Sequence, residues 1–125
     1  MAYREPGAGE LDRRVSIRRR MDVPADNMGL TSIFSVPKRR WARIEPVGTG
    51  VYADSVQTDN KITHRITLRL LPGVTTADEV VHGSTVYRVN RSVDMNGTHR
   101  FTVLDVEELG QDLGGGSIYG YLGRG

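Results

Sequence analysis

The chain has 125 residues, of which 38% are hydrophobic, and a formal net charge of +2. This length suits a single domain. The absence of cysteine excludes disulfides, thiolate metal sites and thiol nucleophiles. No apolar run approaches the roughly 20 residues of a membrane span, and the first residues lack the apolar region of a signal peptide. We therefore expect a soluble protein that is made inside the cell and has no membrane partner.

The charge is unevenly distributed along the chain. Residues 1–43 carry ten Arg and Lys against five Asp and Glu, whereas residues 44–125 carry seven against ten. This asymmetry suits nucleic acid or a partner surface of opposite charge. Arg outnumbers Lys by fifteen to two. That excess fits either a GC-rich coding sequence or contacts with phosphates and protein partners, where the planar guanidinium binds through two donors.

The first third of the chain is predicted to hold one strand and one long loop. Residues 1–9 are expected to form a flexible arm, and residues 10–20 a strand. Residues 21–31 include Pro24 and Gly29, have turn composition without periodicity, and are predicted to be a loop. Structureless loops of this length are usually functional or disordered. The inward-facing residues of the strand are expected to be Leu11, Val15 and Ile17.

The next segment is predicted to be extended and then to turn. Residues 32–45 have strand composition, but Pro37 cannot donate to a ladder, so this strand should lie at an edge or be bulged there. Residues 46–50 are predicted to turn. Residues 51–61 are predicted to form either a short helix or an irregular crossing.

The stretch 64–94 carries the clearest strand pattern. Apolar and polar residues alternate over 62–70, and this period of two predicts a half-buried strand. The pattern breaks at residues 71–73 and resumes in two short runs, 78–82 and 85–93, separated by turn residues. We therefore predict a β-meander here. The inner face of its first strand should consist of Ile62, His64, Ile66, Leu68 and Leu70.

The end of the chain is predicted to hold a hairpin and an arm. Asn96 and Gly97 give a strong hairpin signal that leads to a last strand over 98–107. Seven of the final sixteen residues are Gly. This composition fits either disorder or a segment that orders on a partner through its Tyr and Leu residues, and we favour the second.

Together the segments predict an all-β fold. It should be a small antiparallel β-barrel or sandwich of about six strands, with a long loop and at most one short helix. This domain would span residues 10–109, between flexible arms at 1–9 and 110–125.

No catalytic site is predicted. His64 lies on an apolar strand face, which favours a core histidine, whereas His82 and His99 have surface contexts. None of the three has the spacing of a metal ligand. Ser84 stands near His82, but no nucleophile-elbow pattern surrounds it. We accordingly predict no catalytic, cofactor-binding or metal-binding residue.

Two basic clusters are the strongest candidate sites. They are either solvated flanks of loops or an electrostatic footprint for DNA or an acidic partner. If their strands pair, the clusters would meet at one end of the sheet as a single patch. Trp41 follows the second cluster and suits base stacking, although a lone Trp more often anchors a core or an interface. The clusters consist of Arg18, Arg19 and Arg20, and of Lys38, Arg39 and Arg40.

The order of several segments resembles a known family. The segments are GELDRRVSIRRR near the start, WARIEPVGTG at 41–50, THRITLRLLPGVTTADEVVHGSTVYRVNRSVD, and the closing strand to Glu107. In order and spacing they resemble the head–tail joining proteins of tailed phages, also called head–tail adaptor, head-closure or stopper proteins. The resemblance covers about residues 9–109, and no single motif in it is chemically diagnostic.

The resemblance implies a structural protein of the virion neck, made in the cytoplasm of the host bacterium. It implies a small β-barrel that assembles as a homo-oligomeric ring, with a dodecamer favoured over a hexamer. The ring would bind the portal or adaptor protein above and the tail terminator or tail tube protein below. Packaged double-stranded DNA would lie in its channel. It would close the head after packaging and dock the tail.

In such a ring, the basic clusters would face the channel or a partner, and the segments 21–31 and 47–61 would contact neighbours or line the channel. The tail lies outside the resemblance and is added on its composition alone. The candidate contact residues are Asp26, Asn27, Met28, Leu30, Val51, Tyr52, Ile118, Tyr119, Tyr121 and Leu122.

Two other functions remain open. One is a monomeric OB-like nucleic-acid-binding module that uses the Arg clusters and Trp41, although 6% aromatic residues is a thin supply for stacking bases. The other is a tail-terminator or tail-completion ring, which composition cannot separate from head closure.

Overall fold

The computed structural model describes residues 4–7, 9–25 and 29–111. These ranges contain seven strands, one α-helix and one 3₁₀ turn, which confirms a mainly β fold with a single short helix. In chain order the elements are β1 (Arg13–Pro24), β2 (Leu30–Phe34), β3 (Lys38–Pro46), α1 (Thr49–Gln57), β4 (His64–Arg69), β5 (Asp78–His82), β6 (Thr85–Asp94), the 3₁₀ turn (Met95–Gly97) and β7 (Phe101–Gln111).

The strands form one antiparallel sheet that returns on itself. Its order is β2-β1-β3-β4-β7-β6-β5, and β1 also pairs with β5. The ladders therefore run continuously around six strands, as in a small β-barrel, while β2 extends the sheet from the C-terminal half of β1. Closure occupies the strand edges that an open sheet would expose to other chains.

The core lies inside this ring of strands and is mostly aliphatic. Alternate residues of each strand point inwards, as the period of two requires. The predicted inner positions Val15, Ile17, Ile66 and Leu68 are buried, whereas Leu70 is 39% exposed because β4 ends one residue earlier. The main cluster consists of Val15, Ile17, Ala42, Ile66, Leu68, Leu71, Val80, Tyr87, Val89, Leu104 and Val106.

The predicted meander over residues 64–94 is wrong in its connectivity. β4 pairs with β3 and β7, and β5 pairs with β6 and β1, so β4 and β5 are not neighbours. Residues 70–77 carry the chain across to the other side of the ring. The alternation was correctly predicted, but it depends on each strand alone, whereas connectivity depends on which strands pair.

The predicted loop over residues 21–31 is also wrong. β1 continues to Pro24 and forms a hairpin with β2, in which Met21 pairs with Ile33 and Val23 with Thr31. Next to the last ladder pair, Pro24 and Leu30, the Ala25 amide donates a hydrogen bond to the Gly29 carbonyl at 2.9 Å. The turn composition of this segment therefore does not prevent strand formation up to Pro24 and from Leu30 onwards, because the ladder hydrogen bonds determine the backbone conformation there. Residues 26–28 lie outside the described residues.

Pro37 interrupts the ladder as its chemistry predicts. β2 and β3 both pair with β1, but Arg20 faces Phe34 whereas Ile17 faces Lys38, so the register slips by one residue between them. Pro37 lies in this irregular link, where it has no ladder bond to donate.

The predicted hairpin after β6 is confirmed. β6 and β7 pair, with Asp94 opposite Thr102, through the turn at Met95–Gly97. Asn96 and Gly97 have positive φ values of 54° and 67°, the conformation that made this dipeptide a strong turn signal.

The described part of the N-terminal arm contacts the barrel, and its flexibility stays a prediction. Leu11 packs on a second apolar cluster, on the outer face of β7, that contains Met95, Phe101 and Val103. Glu5 pairs with Arg100 at 2.8 Å. Glu10 accepts hydrogen bonds from Arg4 and Arg43, both at 2.9 Å. Local ion pairs and this apolar contact connect the segment to the barrel.

We predict that Leu68→Ala lowers the free energy of unfolding by about 2–5 kcal/mol, because the side chain is fully buried and its removal leaves a cavity. Leu30→Ala is the matched control: it removes the same atoms from a residue that is 73% exposed and should change stability by about 0.5 kcal/mol or less. Urea denaturation of both variants checks this. Equal losses would contradict the assigned core.

A second prediction concerns the pH dependence of the N-terminal segment. The hydrogen bond from Arg4 is the largest cause that holds the pKa of Glu10 below its ordinary value of 4.5. The backbone hydrogen bond with Gly7 and the charges of Arg4 and Arg43 also lower this pKa, and together these effects outweigh the desolvation of the carboxyl. A lowered folded pKa means that the contribution of these contacts is complete above the unfolded pKa and is lost as the pH falls through the folded one. NMR titration of the Glu10 carboxyl should therefore give a midpoint below 4.5, and Arg4→Ala should raise it. A midpoint above 4.5 in the unaltered chain would refute the assignment.

Candidate functional site

The histidines are arranged as packing and surface groups. The His64 ring lies edge-on against Tyr87, with 5.2 Å between ring centroids, and its Nδ1 is 2.9 Å from Thr63 Oγ1. Burial, and then the Glu108 charge, raises the pKa of Tyr87. His99 is exposed and its Nδ1 lies 2.6 Å from Asp94. Across residues 4–7, 9–25 and 29–111, no group of three or more His, Asp or Glu is placed to hold a metal ion.

The first basic cluster is neutralised by carboxylates. Arg18 Nη2 lies 3.0 Å from Glu79, and Arg19 Nε lies 3.0 Å from Asp78. The two carboxylate side chains are only 4% and 5% exposed. The Asp78 hydrogen bond and charge raise the pKa of Arg19. Arg20 is 3.7 Å from Asp22.

These contacts follow from the pairing of β1 with β5. The ladder places Arg18 opposite Glu79 and Arg19 opposite Asp78. Arg18 also stacks on Phe34, with 3.8 Å from its guanidinium carbon to the ring centroid. The guanidinium groups of Arg18 and Arg19 therefore tie the closing strands together. The two clusters meet at Lys38, which lines one cavity with Arg18 and Arg19.

The second cluster gains arginines from two other strands. Arg14 on β1 pairs with Trp41 on β3, and its guanidinium lies 5.3 Å from the ring centroid. Arg69 stands one position beyond the last ladder pair of β3 and β4, on the side of Trp41. We call this set the arginine–tryptophan site; it consists of Arg14, Arg39, Arg40, Trp41 and Arg69.

The arginine–tryptophan site surrounds an open cavity of about 370 Å³. The other residues that line the cavity precede β1 and are Gly7, Gly9 and Leu11. Trp41 is 52% exposed at this cavity. Within the part of the chain that the structure describes, none of the four arginines forms an ion pair with a carboxylate. Lys38, the first residue of β3, is exposed and lines a different cavity, which it shares with Arg18 and Arg19.

Arg14 and Arg69 were not predicted as site residues. Strand alternation places each of them next to a buried residue, Val15 and Leu68 respectively, and so on an outer face. Strand alternation identifies exposed arginines, but it does not predict which of them lie side by side. Their position beside Trp41 depends on the β1–β3 and β3–β4 ladders, which are not evident in the sequence.

Two elements project beyond the barrel with exposed apolar residues. The β1–β2 hairpin exposes Met21, Leu30 and Ile33. Helix α1 exposes Val51, Tyr52 and Val56, and its one buried residue is Ser55, whose Oγ accepts a hydrogen bond from the Ile62 amide at 2.9 Å.

The candidate contact residues that can be located, Leu30, Val51 and Tyr52, are therefore at the surface, and their roles stay predictions. The others lie outside the described residues: Asp26, Asn27, Met28, Ile118, Tyr119, Tyr121 and Leu122. Among the described elements, no helix is long and apolar enough to cross a membrane.

Comparisons with known proteins give a family match and a similar fold. The model of a family described as phage head completion protein matches residues 7–109. The chain is similar in fold to the solution structure of protein SF1141 from Shigella flexneri 2a, with a TM-score of 0.58 and 14% sequence identity over 82% of this chain and 96% of that one. At this identity the likeness concerns the fold alone. No curated protein matches the chain.

We predict that the first basic cluster has a structural role. Glu79→Gln should lower the free energy of unfolding by about 1–3 kcal/mol, because it removes the charge that faces the nearly buried Arg18 guanidinium. Glu45→Gln is the matched control, since Glu45 is half-exposed and 3.4 Å from Arg43, and it should cost about 0.5 kcal/mol or less. Chemical denaturation distinguishes them, and a loss no larger for Glu79→Gln than for Glu45→Gln would disprove the role.

Proposed function

Because this chain belongs to the phage head completion protein family, we propose that it forms a ring in the virion neck that closes the filled head and docks the tail. The match covers the whole barrel and agrees with the head-closure resemblance found in the sequence. This match is the observation that carries the proposal. In a structural role of this kind, the barrel positions contact surfaces rather than reacting groups.

The proposed ring uses the two projecting elements for its contacts. The six closed strands leave little backbone for strand addition, whereas the outer edge of β2 is unpaired within the described residues. A two-stranded ribbon with exposed apolar residues is marginal in water alone and gains stability when it packs on a partner. We assign the β1–β2 hairpin to a contact with a neighbouring subunit or with the channel.

Helix α1 is the second proposed contact element. Nine residues are too few for a helix to be stable in water without packing. Yet Val51, Tyr52 and Val56 are all exposed, and only Ser55 is buried. Burial of this apolar surface against another protein would stabilise the helix, and an apolar surface with an aromatic anchor is typical of an interface.

The proposed partners follow from the neck position. They are further copies of this chain, in a dodecamer or, second, a hexamer; the portal or adaptor protein on the head side; and the tail terminator or tail tube protein on the tail side. Packaged double-stranded DNA would pass along the axis. Assembly would take place in the host bacterial cytoplasm.

We predict that the purified chain binds to DNA-filled heads that carry a portal but lack this protein. Electron microscopy should show added ring-shaped density at the portal vertex, and the treated heads should accept tails. Portals that look unchanged after incubation at saturating protein would refute the neck role.

A helix variant makes this experiment specific. Val51→Ser/Val56→Ser removes exposed apolar surface and should weaken binding to heads at least tenfold without a matching loss of monomer stability. Gln57→Ser, on the same helix and also exposed, is the control and should bind as the unaltered chain does. Equal binding by all three proteins would remove α1 from the interface.

A further inference from the structure

We propose that the arginine–tryptophan site binds single-stranded nucleic acid, with phosphates on the guanidinium groups and one base on Trp41. The inference does not rest on the proposed ring, because every residue of the site belongs to one copy of the chain.

The arrangement of the site is that of an anion-binding surface. Four guanidinium groups surround one open cavity, and among the described residues none has a carboxylate partner. Neighbouring strands are about 4.8 Å apart, so Arg14 and Arg69 flank Trp41 at a separation of about 10 Å between their backbones. Cations this close repel one another, and a ligand with several negative charges relieves that repulsion.

The first basic cluster differs from this site in the groups that its arginines face. Arg18 and Arg19 have carboxylates opposite them in the β1–β5 ladder. On the other edge of β1, the ladder places Trp41 opposite Arg14, and β4 contributes a further arginine. The fold thus neutralises one cluster and concentrates charge in the other.

The charge favours phosphates over a second copy of this chain. A matching protein surface would need several carboxylates close together, each placed to reach one of the four arginines. A nucleic-acid strand carries one charge at every nucleotide. Guanidinium groups bind its phosphate oxygens through paired donors.

Trp41 indicates a single strand rather than a duplex. Its ring is 52% exposed and borders the cavity, so a base can reach it. Bases in a duplex are stacked on one another and present only their edges, whereas unpaired bases stack on aromatic side chains. Arg14 already lies against the indole, which adds a cation next to the stacked base.

The test uses the isolated full-length chain. Trp41 is its one tryptophan, so intrinsic fluorescence reports directly on the site. Titration with a twelve-nucleotide oligothymidylate should quench this fluorescence to saturation. For three or four phosphate contacts, the slope of log affinity against log salt should be about −2 to −3.

Charge-matched variants separate the site from general attraction. Arg39→Gln/Arg69→Gln should weaken binding about tenfold or more and reduce the salt slope by about 1.4, since two phosphate contacts are lost. Arg88→Gln/Arg91→Gln removes two exposed arginines from β6, on another part of the barrel, and should change affinity less than twofold. Trp41→Ala, followed by the anisotropy of a labelled oligonucleotide, should weaken binding about fivefold or more.

Four results would overturn the proposal: no quenching, a loss for Arg88→Gln/Arg91→Gln as large as for Arg39→Gln/Arg69→Gln, equal affinity for a duplex of the same length, or equal competition by polyglutamate. The last would assign the site to an acidic protein segment. Binding of Arg39→Gln/Arg69→Gln to heads tests the neck role separately, because that binding is assigned to α1 and the hairpin.

Discussion

The fold depends on closure of the sheet between β1 and β5. These strands are far apart in sequence, since Arg18 and Glu79 are separated by 61 positions. Their ladder puts Ile17 opposite Val80 in the core and Arg18 opposite Glu79 outside it. A slip of one residue would expose the apolar side chains and separate the ion pairs at once. Buried ion pairs add little net stability, so we attribute to these a role in setting the register.

Closure also decides which surfaces remain for other molecules. Six strands use their edges within the ring, so the exposed apolar residues are concentrated where the chain leaves it, in the β1–β2 hairpin and α1. Both elements are short, and neither buries a core of its own. A barrel with such projections suits the head-closure role that membership of the head completion family implies.

The same strand pairing gives the two basic clusters of the N-terminal half different electrostatic surroundings. The two basic clusters are similar in sequence, but β5 offers carboxylates to the first and β4 offers Arg69 to the second. Gly7, Gly9 and Leu11 line the same open cavity as these arginines. One strand, β1, therefore links barrel closure on one edge to the arginine–tryptophan site on the other.

The sequence by itself determined the features that depend on local geometry. Alternation identified Val15, Ile17, Ile66 and Leu68 as core residues, Pro37 marked the ladder break, and the turn at 96–97 defined the last hairpin. Three features were evident only in the tertiary structure: residues 20–24 and 30–34 form a hairpin, β4 and β5 lie apart, and Arg18 is paired while Arg69 joins Trp41. The reason is physical: a strand pattern is set by successive residues on one backbone, whereas the partner of each strand is chosen by core packing across the whole chain.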